Sequence, residues 1–191
     1  MILCTLFDSF YLSRGLIMYE SLKETINNFH LYIFAFDDFS YRILKNLELD
    51  RSTVISLQEF ENQELLKAKD TRTRAEYCWT STSSVIEYVL DKYKVESCTY
   101  LDADLYFYGS PSVLLDELSG EKSVMITEHR YYGLAHIFEQ KRAGRFCVQF
   151  ITFRNEKESR KILGKWIKQC IDWCYNRCCY LLSRGIIWLL C

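Results

Sequence analysis

Four strand-like runs, the first of them apolar almost throughout, constrain this chain more than anything else in it. They are "ILCTLF" (2–7), "LYIFAF" (31–36), "TVISL" (53–57) and "SCTYLD" (97–102). A strand with one wet face alternates apolar and polar residues. A continuous run instead fits a strand covered on both faces, the usual state in a parallel sheet. The stretches between the runs carry helical spacing. Leu16, Tyr19 and Leu22 fit one face of a helix predicted over Arg14–Thr25 with Ser13 as its cap. "SYRILKNL" predicts a short helix, and Ser56 with Glu59 predicts a capping box for a helix reaching about Lys69. "KDTRTRAEYCW" reads as a connection, and Ser84 with Glu87 as a second capping box. Val85, Ile86, Val89, Leu90 and Tyr93 would line the helix that follows.

The second half changes character. Ser110-Pro111 predicts a helix start, with Pro at the first helical position. "SVMIT" (123–127) and "RFCVQFITFR" (145–154) predict two more strands. Asn155 is placed to cap a last helix, whose apolar face reads Ile162, Leu163, Trp166, Ile167, Cys170, Ile171 and Cys174. Strand and helix alternate about three times before the strands become mixed. The expected fold is α/β: a mostly parallel central sheet flanked by helices, with a mixed C-terminal half.

Composition narrows the function classes. At 191 residues and 49% hydrophobic, the chain can bury a full core, which excludes a disordered tail or linker. A net charge of -1 argues against a nucleic-acid binder, which shows a basic excess. No apolar run reaches the roughly 20 residues that span a bilayer, so any membrane contact is expected to be peripheral. Met1 leads straight into the first strand without a basic leader, and the nine cysteines are scattered. They read as buried thiols in a reducing cytoplasm.

Two features fall where strands end, and ligands of parallel sheets gather at the carboxyl ends of strands. One is Asp8, with Tyr11 three residues on. The other is Asp102 and Asp104 in "LDADLYF". Two carboxylates at i and i+2 can converge on one hard cation, Mg²⁺ or Mn²⁺, which keeps waters and bridges to substrate phosphates. Such an ion neutralises charge on a departing diphosphate. The plain alternative for Asp-x-Asp is a solvated turn.

"TLFDSFYLSRGLIMYESL", followed by "YCWTSTSSVIEYVLDKYKVESCTYLDADLYFYGSP" and "GRFCVQFITFRN", resembles the nucleotide-sugar glycosyltransferases of the GT-A, or Rossmann-like, fold. The chain is most similar to the family 8 enzymes and related bacterial proteins. The resemblance covers most of residues 2 to 175. It implies transfer of a sugar from a nucleotide diphosphate donor, expected to be UDP-linked, to a hydroxyl of a carbohydrate or lipid-linked acceptor. It implies a Mn²⁺ or Mg²⁺ ion on Asp102 and Asp104, with Asp8 meeting the base and Tyr11 flanking it. Gln149 falls near the position where family members present an amide to the sugar or the reacting centre, a catalytic role by resemblance.

The resemblance breaks after Arg177. Family members continue into a segment with a further metal ligand. Here "CCYLLSRGIIWLLC" (178–191) carries no acidic residue. The expectation is therefore a transferase domain over 1–177 with an atypical apolar tail, as from an early stop or frame change. A catalytically impaired remnant that still binds nucleotide is the alternative. A phosphoryl-transfer hydrolase with Asp-x-Asp as nucleophile and acid is a third reading. That chemistry expects the pair after the first strand, and here it follows the fourth.

Other residues have double readings. His129 and His136 could be substitute metal ligands or surface groups; His30 reads as structural. Cys170, Cys174 and Cys178 fit a packed helix face better than a soft metal site. Lys67, Lys69, Arg72 and Arg74, like Arg130 and Arg142, could reach a diphosphate or simply meet solvent. Trp79, Tyr88 and Tyr93 read as core, although Trp79, in the connection, could stack on a sugar.

Overall fold

The computed structural model describes residues 1–173 apart from 119, 121, 134–137, 139 and 141–143. Six strands form one sheet: β1 (Ile2–Phe7), β2 (His30–Ala35), β3 (Ser52–Ser56), β4 (Ser97–Leu101), β5 (Val124–Glu128) and β6 (Phe146–Arg154). Their order is β3-β2-β1-β4-β6-β5. β1 pairs in parallel with both β2 and β4, and β2 with β3. β6 runs antiparallel to β4 and β5. The expected mostly parallel sheet with a mixed C-terminal half is thus present.

Helices cover both faces, which is why the strand runs are apolar throughout. Successive side chains of a strand point to opposite faces. Cys4 and Leu6 join Tyr32, Phe34, Tyr100 and Ile151 on one side, under helices α5 (Arg74–Tyr93) and α7 (Lys157–Trp173). Leu3 and Phe7 join Leu31, Ile33 and Leu101 on the other, packed with Met18, Tyr19 and Leu22 of α1 (Leu12–Thr25) and Leu44 of α2 (Asp38–Leu47). In α7, Leu163, Trp166 and Cys170 are buried, and the Trp166 indole stacks on Phe153 with ring centroids 5.9 Å apart.

Several predicted boundaries move. The helix expected from Ser56 to Lys69 is two: α3 (Leu57–Phe60), capped by Ser56, and α4 (Gln63–Lys69), capped by Asn62. The Asn62 side chain accepts the Leu65 amide and so restarts the chain as a new helix. α1 begins at Leu12, so Ser13 lies inside it. Pro111 precedes α6 (Ser112–Leu115) as its cap residue. The Asn155 side chain does not turn inward on α7; its amide donates to the Val95 carbonyl.

The largest change concerns α5. The presumed connection is its first turns, opened by a true capping box at Thr73 and Glu76. Ser84 and Glu87 sit in the helix interior. The buried hydroxyls of Thr80, Ser81 and Thr82 donate to the carbonyls of Glu76, Tyr77 and Cys78, four residues back. Local bonding of this kind lets these three residues lie against the sheet satisfied, whereas the buried Ser83 hydroxyl has no hydrogen-bond partner.

Gly15 permits another close approach. A Cβ there would stand 2.5 Å from the ring of Phe7, the buried last residue of β1. Gly15→Ala should lower stability by about 1–2 kcal/mol, because overpacking outweighs alanine's better helix propensity. Urea unfolding checks this; a rise in midpoint would show that the ring yields freely.

Candidate functional site

β1 is the point where the sheet changes direction. β2 and β3 build outward on one side of it, and β4 on the other. The end of β1 is thus the switch point of the sheet, where ligands of open α/β sheets bind beyond the carboxyl ends of the strands; the segments leaving β1 and β4 pack together on the α1 face, where Ser21 accepts the Phe107 amide. Asp8 directly follows β1 and Asp102 directly follows β4. Asp8, Tyr11, Asp102 and Asp104 all line one cavity of about 420 Å³, closed on one side by the first turns of α5.

Asp8 is 7% exposed and heavily engaged. Its Oδ1 accepts the backbone amides of Phe10 at 2.9 Å and Tyr11 at 3.3 Å, which folds the chain into the start of α1. Its Oδ2 lies 2.5 Å from Nε of Arg74. Arg74 also pairs through Nη2 with Asp37, which follows β2 and caps α2. One guanidinium thus ties the first turn of α5 to the ends of two strands. Burial would raise the Asp37 carboxyl, but the amides of Ser40 and Ser9 and their hydroxyls more than offset it and hold it well below the usual range.

The carboxylate pair sits in a different environment. Burial pushes Asp102 up to about 6; the Tyr100 hydroxyl bonded to it opposes the rise, and the charge of Asp104 adds to it. Tyr100, two residues earlier in β4, is buried and lines the same cavity. The Asp102 amide donates to the Gln149 carbonyl at 3.0 Å. Among the described residues neither Asp102 nor Asp104 has a cationic partner. No third His, Cys, Asp or Glu joins them there in a metal-sized cluster. Two oxygen-bearing groups, one a half-desolvated carboxylate beside a second negative charge, form a donor set that a hard divalent cation would relieve.

Other expected residues fall elsewhere. Gln149 meets Asp102 through its backbone and is not among the residues lining the cavity. His129 packs beside Tyr131, away from the cavity, and His30 bonds the Thr53 hydroxyl at 2.8 Å. Arg72 donates to the Ile171 carbonyl and Lys69 pairs with Glu61, so within that basic cluster only Arg74 reaches the cavity. His136, Arg142, Cys174, Cys178 and the 178–191 tail lie outside the described residues. Trp79 is a cavity residue and half exposed, a correction to its reading as core. Its neighbour Cys78 also lines the cavity; burial and the nearby Asp8 charge push its thiol up to about 12, which keeps it inert. A larger groove of about 680 Å³ adjoins on the Asp37 side, where Lys69 and Tyr77 both bond Glu61.

Sequence reasoning missed Asp37 and left Arg74 between a diphosphate contact and a solvent-facing group. Asp37 had the same strand-end position as Asp8. Arg74 was signalled by the Thr73–Glu76 capping box, which places it in the first helical turn facing the strand ends.

No family model matches the chain. It is 33% identical over 165 residues to the YfnD protein of Bacillus subtilis, covering 82% of this chain and 50% of that protein. It is 27% identical over 180 residues to YfnF of the same organism, covering 91% and 59%. The chain thus spans little more than half the length of the curated relatives it matches. Among solved structures, the galactosyltransferase LgtC superposes with a TM-score of 0.63 at 15% identity, covering 100% of this chain and 70% of that one. The bifunctional glycosyltransferase WbbM gives 0.60 at 11%, covering 97% and 37%. GlyE of Streptococcus pneumoniae gives 0.59 at 15%, covering 99% and 42%. The fold is that of the GT-A-like glycosyltransferases.

Asp102 titrates above its unfolded value near 3.8. Between about pH 4 and 6 the folded state holds a proton that the unfolded chain has lost, so the carboxylate destabilises the metal-free fold above that window. Asp102→Asn should therefore raise unfolding free energy at pH 7 by about 1–3 kcal/mol, a gain that vanishes near pH 4. Urea titrations in chelator at the two pH values read this directly. Equal stability at pH 7 would mean Asp102 is not desolvated.

Proposed function

We propose that this chain is the donor-binding part of a metal-dependent glycosyltransferase, which moves a sugar from a nucleotide diphosphate, UDP above all, to an acceptor hydroxyl. One observation carries the reading: Asp8 and the Asp102–Asp104 pair come from distant sequence positions into one cavity at the switch point of the sheet. The fold supports it, since LgtC, a galactosyltransferase of the same fold, is known in complex with donor and acceptor sugar analogs.

In this reading each group has a task. The loop folded around Asp8 receives the base, with Tyr11 beside it. Arg74 fixes the Asp8 carboxylate so that its remaining lone pair keeps one direction. Asp102 and Asp104 hold Mg²⁺ or Mn²⁺, which when bound supplies neutralisation of charge on the departing diphosphate. Tyr100 orients Asp102 by its hydrogen bond. Gln149, whose backbone carbonyl accepts the Asp102 amide on the strand beside β4, is by resemblance the group assigned to the sugar or the reacting centre. The acceptor is a carbohydrate or a lipid-linked sugar reaching the cavity from solvent. No helix among the described residues is long and apolar enough to cross a membrane.

Calorimetry with UDP in the presence and absence of Mn²⁺ tests the reading. Wild type should bind UDP in a Mn²⁺-dependent manner, and Asp102→Ala and Asp104→Ala should each weaken it about tenfold or more. No binding by wild type, or equal binding by all three, overturns it.

A further inference from the structure

The loop that follows the carboxylate pair turns two large rings to solvent. Tyr106 is 50% exposed and Tyr108 94% exposed. Leu105 and Phe107, which alternate with them, pack against the core on the α1 side. The Phe107 amide donates to the Ser21 hydroxyl of α1 at 3.1 Å, which pins this backbone to the helix. Successive side chains of an extended chain point to opposite sides, so inward Leu105 and Phe107 send Tyr106 and Tyr108 outward together. Their ring centroids lie 4.8 Å apart. Neither tyrosine has another ring, cation or hydrogen-bond partner among the described residues. Paired aromatic rings held outward on an anchored backbone mark a binding surface.

The composition of the loop selects the partner. From Leu105 to Leu115 no side chain is charged. The loop adds the hydroxyls of Ser110 and Ser112, bonded to each other at 2.8 Å, and Gly109, where an added Cβ would meet nothing within 4 Å. An ionic partner finds no counter-charge in this loop, and an anionic lipid surface finds no lysine or arginine. Tyrosine supplies a wide, rigid contact area with a polar tip, and serine supplies adaptable hydrogen bonds. A neutral saccharide matches that set. Its C–H faces gain by burial against the rings, while its hydroxyls bond the phenol and serine oxygens.

The position of the pair gives it a role. Tyr106 follows Asp104 by two residues, a span of at most about 7 Å between Cα atoms, and Asp104 lines the strand-end cavity. Given the donor reading above, Asp104 marks the metal and the diphosphate. Transfer forms a bond from an acceptor oxygen to the sugar carbon, breaks that carbon's bond to the diphosphate and releases the hydroxyl proton to solvent. The acceptor must therefore reach the carbon next to the diphosphate, and a surface that begins beside Asp104 is placed to hold it. We propose that Tyr106 and Tyr108 form the platform on which a neutral saccharide acceptor docks. The acceptor role rests on the donor reading; saccharide binding by the tyrosines does not.

The test probes an array of neutral and acidic oligosaccharides with labelled protein, without UDP or metal, and titrates the same preparations with UDP and Mn²⁺. Wild type should bind neutral members of the array. Tyr106→Ser with Tyr108→Ser should weaken that binding about tenfold or more, and Tyr106→Phe with Tyr108→Phe should keep most of it, because the rings remain. All three proteins should bind UDP within about twofold of one another. Preference for acidic saccharides, or equal binding by the serine variant, would overturn the platform. So would sedimentation in which wild type self-associates and the serine variant does not, since the pair would then be a contact between copies. UDP binding without saccharide binding removes the platform alone. Saccharide binding without UDP binding removes the acceptor role together with the donor reading.

Discussion

The pairing of β1 on both its edges is the constraint on which the rest depends. β1 is buried on both faces and hydrogen-bonded to β2 and β4, so its last residue is a fixed point in the molecule. Because β2 and β4 lie on opposite sides of it, the end of β1 is the switch point of the sheet, and the crevice lined by Asp8, Asp102 and Asp104 sits there. Everything at the site is hung from that crevice: Asp8 from β1, Asp37 from β2, Asp102 from β4. α5 crosses it because its small hydroxyl residues let the helix lie close to β1 and β4.

Three aspartates at three strand ends face different electrostatic problems. Asp8 and Asp37 share Arg74 and backbone amides, so their charges are settled within the protein. Asp102 has a single hydroxyl and a second carboxylate nearby, so its charge is left costly. A fold selected only for stability would place Asn there. An unneutralised carboxylate beside another one fits the use proposed for Asp102, as a group whose charge a bound ligand would relieve.

The sequence made the sheet legible because burial on both faces leaves strands as solid apolar runs, a signal that needs no partner to be read. Asp8 and Asp102 were legible for the same reason, as charges at the ends of those runs. Helix boundaries were less so. Ser84–Glu87 and Thr73–Glu76 both match the capping box, and only the packing of α5 against the sheet decides between them. Misplacing that start turned a cavity-facing helical turn into a loop, which left Arg74 undirected among its basic neighbours and assigned Trp79 to the core. Gln149 shows a different gap: its strand was found, but neither its alternation nor its neighbours state which group, backbone or side chain, meets Asp102.

The arrangement also explains why α5 can be polar on one face and still be part of the core. The hydroxyls of Thr80, Ser81 and Thr82 are satisfied on the preceding turn, so these residues need no polar partners in the sheet; the buried Ser83 hydroxyl is left unbonded. α5 packs on both β1 and β4, so the helix that supplies Arg74 and Trp79 is coupled to the strand that leads into Asp102. Arg74, Ala75, Cys78 and Trp79 line the same cavity as Asp102 and Asp104, so a shift of α5 would reshape that cavity along a whole wall.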